Sequence, residues 1–376
     1  MSIAVEPRFA EHFQNLQQVF LYITDECNLS CVQCIYKPSI TYQIERSIKP
    51  ETVRDLLHVF RNLGAYKLTL LGGEPTLYGL REHSEPLFDV IAFAKNIGYE
   101  YVRIDTNGQF RPTLLDDERF HCLDEIAFSV DGLSEEMNDP IRGQHTFRNS
   151  IARINDAVEK GYKATITCCV HKEFVERDAT RELLIHRMIL FAQELGIHTI
   201  NFHDLFKVGV PMDTWTGDLD PEIEAWVLAF DEIRTKMAAE EYKIHVRLPQ
   251  CFITREEFAR NPRYYGYCPV KMGERVMVHP HGVIRICSNL ICTAYGVARY
   301  TEDAIQWDHG FSNEMREHDL TRFTPCTNRS RHRKYGKYVP LCFSFKPDQD
   351  EIVWQRLGWD ERRKRPEDWA LESDKR

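Results

Sequence analysis

The chain has 376 residues and a formal net charge of -9, with 43% apolar and 28% charged residues. This is one large domain or two with a sizeable core, not a mainly disordered chain, and the acidic balance argues against a dominant nucleic-acid or anionic-membrane surface. No uncharged apolar run reaches the roughly 18–20 residues of a membrane helix, and the opening MSIAVEPRFAEHFQ lacks the basic and apolar regions of a signal peptide, so a cytoplasmic location is expected.

Short apolar runs alternate with amphipathic stretches through the first two-thirds of the chain. Residues 19–24 (VFLYIT) read as a buried strand, and residues 50–64 as a helix with Pro50 in its first turn and Gly64 as its stop. Strands are predicted at 67–71, 101–105, 124–130, 163–170 and 198–203, and helices at 85–98, 147–161 and 179–196. Each strand but the last is expected to be followed by a helical connection. Strand–helix alternation implies βαβ units, a parallel sheet and right-handed crossovers. Six units point to a partial (β/α)6 barrel, with a full barrel or an open doubly wound sheet as competing topologies, and ligands are expected at the carboxyl ends of the strands.

Beyond about residue 210 the alternation stops. One more helix is predicted at 222–242, followed by a Cys-, Tyr- and Pro-rich region with short strand-like pieces (RVMVHP, GVIRIC). The expected organisation is an N-terminal extension (1–18), the barrel (19–210), a linker and helix (211–244), a small Cys-rich domain (245–345) and a charged tail (346–376).

The chain has 12 cysteines, improbable as a disulfide scaffold in a reducing compartment and more consistent with metal binding or chemistry. Three lie at 27, 31 and 34, five between 268 and 342, and the others are Cys122, Cys168, Cys169 and Cys251. Cys27, Cys31 and Cys34 follow the first strand with C-x3-C-x2-C spacing, so one tight loop supplies three thiolates. A cubane iron–sulfur cluster normally takes four. Three leave one iron open, as a catalytic centre requires, whereas a zinc site would need a fourth Cys or His that this loop lacks. A structural metal knot is the plainer alternative.

This spacing after strand one resembles the radical S-adenosylmethionine (radical SAM) superfamily. Strand two ends in Gly72-Gly73-Glu74-Pro75, like that family's GGEP motif. Paired glycines permit close backbone approach to a ligand, and the carboxylate can accept from the methionyl ammonium. Strand three ends in Thr106-Asn107-Gly108, like its TNG. Ser129-Val130-Asp131-Gly132 followed by Arg142-Gly143 and Phe147 resembles the S-x-D-G…R-G…F run of its peptide- and small-molecule-modifying branch. The resemblance makes Ser129 and Arg142 contacts to the ribose or carboxylate of the cofactor, with Asp131 beside them. One departure is Gln33, which stands where the family usually has an aromatic residue that helps hold the adenine.

The resemblance implies that a reduced [4Fe-4S] cluster on Cys27, Cys31 and Cys34 cleaves S-adenosylmethionine to methionine and a 5′-deoxyadenosyl radical. The radical then takes a hydrogen atom from an unactivated carbon. The cofactors carry that chemistry, and the protein positions and shields it.

Cys268, Gly282 and Cys287 fit the C-x(9–15)-G-x4-C opening of SPASM and twitch extensions, which hold auxiliary clusters. The dense downstream run of a full SPASM domain is missing. A twitch-like domain with one auxiliary [4Fe-4S] cluster is therefore expected, with Cys268, Cys287, Cys326 and Cys342 as ligands and Cys292 as the substitute. Isolated buried cysteines or a zinc knot are the alternatives.

Around the substrate, one of Cys168 and Cys169 is expected to face into the barrel, because strand side chains alternate. An inward thiol can return a hydrogen atom to a substrate radical. His203 and Asp204, at the end of strand six, can bind or deprotonate substrate. Arg329–Lys334 (RSRHRK) reads more as solvated surface than as an anion site.

The resulting expectation is a radical SAM oxidoreductase acting on a small molecule, most simply in a two-electron oxidation assisted by the auxiliary cluster. Epimerisation or ribosomal-peptide maturation are the alternatives within the family. About eighteen residues precede strand one, so no leader-binding domain is expected there, which favours a small metabolite or a separate leader-binding partner. Expected partners are the small-molecule or peptide substrate and an electron donor such as flavodoxin or ferredoxin, with no nucleic acid and no membrane. From another class, the contender is a zinc-knot binding or structural protein.

Overall fold

The computed structural model describes residues 3–34, 36, 47–205, 219–260, 273–287, 296–308 and 336–341. In chain order its elements begin with β1 (Ala4–Val5), α1 (Pro7–His12), β2 (Gln18–Thr24), α2 (Pro50–Asn62), β3 (Lys67–Gly72), α3 (Glu85–Asn96), β4 (Tyr101–Thr106) and β5 (Glu125–Ser129). Next come α4 (Glu135–Arg142), α5 (Thr146–Glu159), β6 (Ala164–Val170), α6 (Leu184–Glu194), β7 (Thr199–Asp204), α7 (Ile223–Ala238), β8 (His245–Arg247) and β9 (Phe252–Thr254). The last are α8 (Arg255–Arg260), β10 (Arg275–Val278), β11 (Val283–Arg285), β12 (Ala298–Tyr300), β13 (Ala304–Trp307) and β14 (Tyr338–Pro340).

The six predicted strands are β2 to β7, and they lie side by side in sequence order, all parallel. The fold is therefore α/β with the large parallel sheet of a partial barrel. Parallel pairing goes further than the periodicity implied. β8 adds to β7, and β10 adds to β2 on the opposite edge. From β10 the sheet continues antiparallel through β11, β12 and β13, and β1 closes onto β13. Ala4–Val5, ahead of the first predicted strand, is thus built into the sheet. Phe9 of α1 packs near Phe60 and Trp307, at ring separations of 6.3 and 6.5 Å.

The register explains the core. Val19, Leu68 and Val102 stand in one row, and Leu21, Leu70, Ile104 and Ile126 in the next. Phe128, Ile166 and Ile200 follow, then Cys168 and Phe202. All are buried in one apolar cluster with Val53, Leu56, Leu57 and Phe60 of α2, Val90 and Ile91 of α3, and Ile185, Met188 and Ile189 of α6. Each such side chain contributes about 1.5–3 kcal/mol of transfer free energy. The alternate residues form the inner face, which is polar. Arg103 is ion-paired there with Asp105 at 2.5 Å and Glu125 at 2.9 Å, and it reaches Thr167 at 3.4 Å.

Three expectations about connections need correction. Between β4 and β5 there is no α-helix, only 3-10 turns at Pro112–Asp116 and Phe120–Cys122. The helix expected at 179–196 begins at Leu184, because Asp178 ties its own turn by accepting from the backbone of Thr180 and Glu182. An unpredicted helix, α4, precedes α5, and Pro140 inside it hides its periodicity.

Candidate active site

Because β10 and β2 to β8 are parallel, the loops at their carboxyl ends open on one edge of the sheet. That edge gathers the cysteine loop after β2, the Gly72–Pro75 turn after β3, the Thr106–Gly108 turn after β4 and the Ser129–Gly132 turn after β5. Cys169, His203, Asp204 and His279 join it from the ends of β6, β7 and β10.

The cysteine loop is anchored on the glycine turn. Gly73 N–H donates to the Thr24 carbonyl at 2.8 Å, and Glu74 N–H to the Glu26 carbonyl at 2.6 Å. A Cβ at Gly72 would sit 2.5 Å from the Thr24 carbonyl oxygen, and one at Gly73 would run into the carbonyl of Glu26. The close approach these glycines permit is therefore to the chain's own backbone.

Glu74 is 1% exposed. One carboxylate oxygen accepts from Thr76 N–H at 3.1 Å, the Thr76 hydroxyl at 2.6 Å and the Thr106 hydroxyl at 2.7 Å; the other accepts from Asn107 N–H at 2.7 Å. Burial pushes its carboxyl up, against these four donors. Glu74 thus ties the β3 and β4 turns together. Asn107 extends the tie to the cysteine loop, donating to Asn28 Oδ1 at 2.8 Å with its Nδ2 3.9 Å from Cys27 Sγ.

Cys27, Cys31 and Cys34 are half-buried and not in disulfides. Burial, with Glu74 and the other two thiols adding, pushes Cys27 up to about 12. A cationic metal favours the thiolate that this burial disfavours. Leu29 N–H points at Cys27 Sγ from 3.4 Å, the kind of donor that tunes a ligating sulfur. Among the described residues, only Glu135, Asp139 and His145 bring three donor atoms within 4.8 Å of one another. Three thiols from one loop that carries no fourth Cys or His suit an iron–sulfur cluster with one open iron better than a closed tetrahedral zinc site. The donor set fits a multi-iron cluster.

A second knot lies on Asp131, which is 0% exposed. Its Oδ2 accepts from Gln33 Nε2 at 2.5 Å and Arg142 Nε at 2.7 Å, and its Oδ1 from Cys169 N–H at 2.6 Å. The end of α4 also grips the cysteine loop. Val32 N–H donates to the Ile141 carbonyl at 2.9 Å, and Cys31 Sγ lies 3.7 Å from the Arg142 carbonyl. Gln33, noted only as a departure, is an integral 7%-exposed part of this knot. Ser129 is half-buried at the end of β5, and Pro75 opens a short 3-10 turn.

The two adjacent cysteines of β6 part company. Cys168 is fully buried in the apolar cluster between sheet and helices, so it is corrected from a site residue to a core residue. Cys169 is on the inner face, in register with His203, and feels Asp131, Arg142, Cys31 and Asp204. His203 Nε2 lies 2.7 Å from Asn201 Nδ2.

Other residues of this edge escaped the sequence reading. The His279 ring stacks on Tyr22, with centroids 4.4 Å apart, and its Nε2 is buried without a hydrogen-bond partner. His281 Nδ1 lies 3.8 Å from Asp25 Oδ2. The His-Pro-His-Gly turn was the available signal, but its place at the edge depends on β10 pairing with β2. Of the C-terminal cysteines, Cys287 is half-buried just past β11, while Cys268, Cys292, Cys326 and Cys342, like Arg329–Lys334, lie outside the described residues. No helix among the described residues is long and apolar enough to cross a membrane.

A model of the Radical SAM superfamily matches residues 21–184. GTP 3′,8-cyclase of Cronobacter sakazakii is 30% identical over 43% of this chain and 48% of that protein. GTP 3′,8-cyclase of Haemophilus influenzae is 24% identical over 75% of this chain and 81% of that protein. Across four curated relatives, including molybdenum cofactor biosynthesis protein 1 of Drosophila melanogaster, the chain spans 28% to 59% of their length. Among solved structures, Streptococcus suis SuiB bound to precursor peptide SuiA superposes with a TM-score of 0.60 at 15% identity, covering 85% of this chain and 71% of that one. The structural likeness speaks for the fold and the sequence match for the family: the chain carries a radical SAM superfamily domain over residues 21–184.

Proposed function

We propose that the protein is an S-adenosylmethionine-dependent radical enzyme acting on a small molecule, most simply in a two-electron oxidation assisted by one auxiliary cluster. The observation that carries this reading is the meeting of the Cys27, Cys31 and Cys34 thiols with the Gly72–Pro75, Thr106–Gly108 and Ser129–Gly132 turns on one edge of a parallel sheet. When bound, the [4Fe-4S] cluster and S-adenosylmethionine supply the one-electron chemistry that opens hydrogen-atom abstraction from an unactivated carbon.

The chain's own residues then divide the work. Cys27, Cys31 and Cys34 hold the cluster. The Gly72–Pro75 turn and Ser129 line the cofactor. Glu74, Thr106 and Asn107 fix the turns, and Asp131 with Arg142 closes the cofactor side. His203 and Asp204 face the substrate and hold or move its proton. Cys268, Cys287, Cys326 and Cys342 hold the auxiliary cluster, and a flavodoxin- or ferredoxin-type protein delivers the electron. The curated relatives named as GTP 3′,8-cyclases favour a small-molecule substrate.

One observation favours a second reading, epimerisation. Cys169 faces inward beside His203, and burial with Asp131 holds it as a thiol. Its S–H hydrogen atom can pass to a substrate carbon radical, forming C–H and leaving a thiyl radical. One electron from the external donor and one proton restore the thiol.

The test is anaerobic reconstitution followed by iron and sulfide analysis and a 5′-deoxyadenosine assay with dithionite. About eight irons falling to about four in the Cys27/Cys31/Cys34→Ala variant, with loss of 5′-deoxyadenosine, supports both clusters. About four falling to none removes the auxiliary cluster and favours redox-neutral chemistry. Zinc without iron overturns the whole reading.

A further inference from the structure

The Ser129–Gly132 turn and the end of α4 are joined by a buried ion pair, and the cysteine loop is tied to that pair through Gln33. Arg142 Nε is 2.7 Å from Asp131 Oδ2, with the two side chains 11% and 1% exposed. Gln33 Nε2 holds the same carboxylate oxygen from 2.5 Å, so the loop that carries the cluster cysteines also carries a clamp on this pair. Cys31 Sγ lies 3.7 Å from the Arg142 carbonyl oxygen. The guanidinium is held towards Asp131 through its Nε. Both Cys31 and Asp131 lie within its electrostatic reach.

Fixed charges and donors close to ligating sulfurs set the potential of an iron–sulfur centre, and a water-poor surrounding strengthens them. We propose that Arg142 and Asp131 are a pair of potential-setting residues, with Gln33 as the positioning residue that holds them against the cluster loop. Arg142 supplies the positive end, which favours the electron-rich cluster, and Asp131 supplies the opposing negative end. This assigns Arg142 a task besides the cofactor contact implied by its motif. The proposal rests on the reading that Cys27, Cys31 and Cys34 hold a cluster.

The experiment is a redox titration of the reconstituted full-length protein without S-adenosylmethionine. It follows the electron-paramagnetic signal that disappears in Cys27→Ala. Arg142→Gln is expected to move the potential down and Asp131→Asn to move it up. Each shift is a roughly tenfold change in the reduction equilibrium, which is about 59 mV for one electron. Arg142→Lys keeps the charge and stays near the parent value, whereas Gln33→Leu, which frees the pair, scatters it.

Opposite signs follow the charge that each substitution removes. Shifts of the same sign, or none, overturn the proposal. So does loss of the cluster in both Arg142→Gln and Arg142→Lys, since Arg142 is then a scaffold residue. If the parent protein shows no Cys27-dependent signal at all, it is the cluster reading that fails, and iron analysis of the same sample tells the two failures apart.

Discussion

The two faces of the parallel sheet are made by the same strands and differ in almost every respect. The helix-facing side is a continuous apolar layer from Val19 to Phe202. The inner side carries Arg103, Asp105, Glu125, Thr167, Cys169, Asn201 and His203. Cys168 and Cys169 make the contrast within two residues, since one fills a gap in the core and the other stands at the open edge beside Asp131. The lesson is that stability and chemistry are separated here by strand parity, with a period of two, rather than by distance along the chain.

The sharpest way to break this separation is to strike the loop that hangs from the inner side. The Cys27/Cys31/Cys34→Ala variant is expected to lose all 5′-deoxyadenosine formation while its apo form melts within a few degrees of the parent; chromatography and thermal denaturation check the two halves. Phe202→Ala strikes the other face and should cost about 3–5 kcal/mol in denaturant unfolding.

An ion-pair change tests whether the inner face is also structural. Burial alone would raise the Glu125 carboxyl, yet Arg103 and Arg247 hold it below its usual range. Arg103→Met leaves Glu125 buried without that partner and should cost about 3 kcal/mol. Urea midpoints measured beside an Arg103→Met/Glu125→Gln double variant check it, the double being milder than the single.

The paired cysteines sharpen the comparison at smaller scale. Cys168→Ala should lower stability by about 1 kcal/mol and leave product unchanged. Cys169→Ala should barely alter stability, yet change the ratio of deuterium incorporated into product in heavy water. Equal behaviour of the two variants would abolish the contrast.

The smallest effect concerns pH. Burial, with Arg285 and His281 beside it, pushes His279 well below its ordinary 6.5. Below pH 6.5 the unfolded chain binds a proton that the folded chain refuses, so stability falls as pH drops from 6.5 towards the folded value. His279→Gln should flatten that slope in melts between about pH 6.5 and 5.

Much of the site was legible because its chemistry is local. Three thiols within eight residues, the Gly72–Pro75 turn and the Ser129–Gly132 turn are contiguous, and each directly follows an apolar strand that is readable by length and composition. Gln33 was visible only as an exception, since its partner Asp131 is 98 residues away. Arg142 matched a motif, but its ion pair with Asp131 did not show in the sequence.

Period and spacing alone therefore pointed to six strands in a parallel sheet, their apolar helix-facing residues and the place of the cysteine loop, because each is read from neighbours within a few residues, while the side-by-side order of β2 to β7 was decided by the structure among competing topologies. Long-range pairing decided the rest. It set β10 against β2, so that His279 meets Tyr22, and it built β1 into the far edge of the sheet. It also sent Cys169 inward and Cys168 into the core: strand alternation requires that adjacent residues diverge, but only the packing of helices on one side determines which of them is buried.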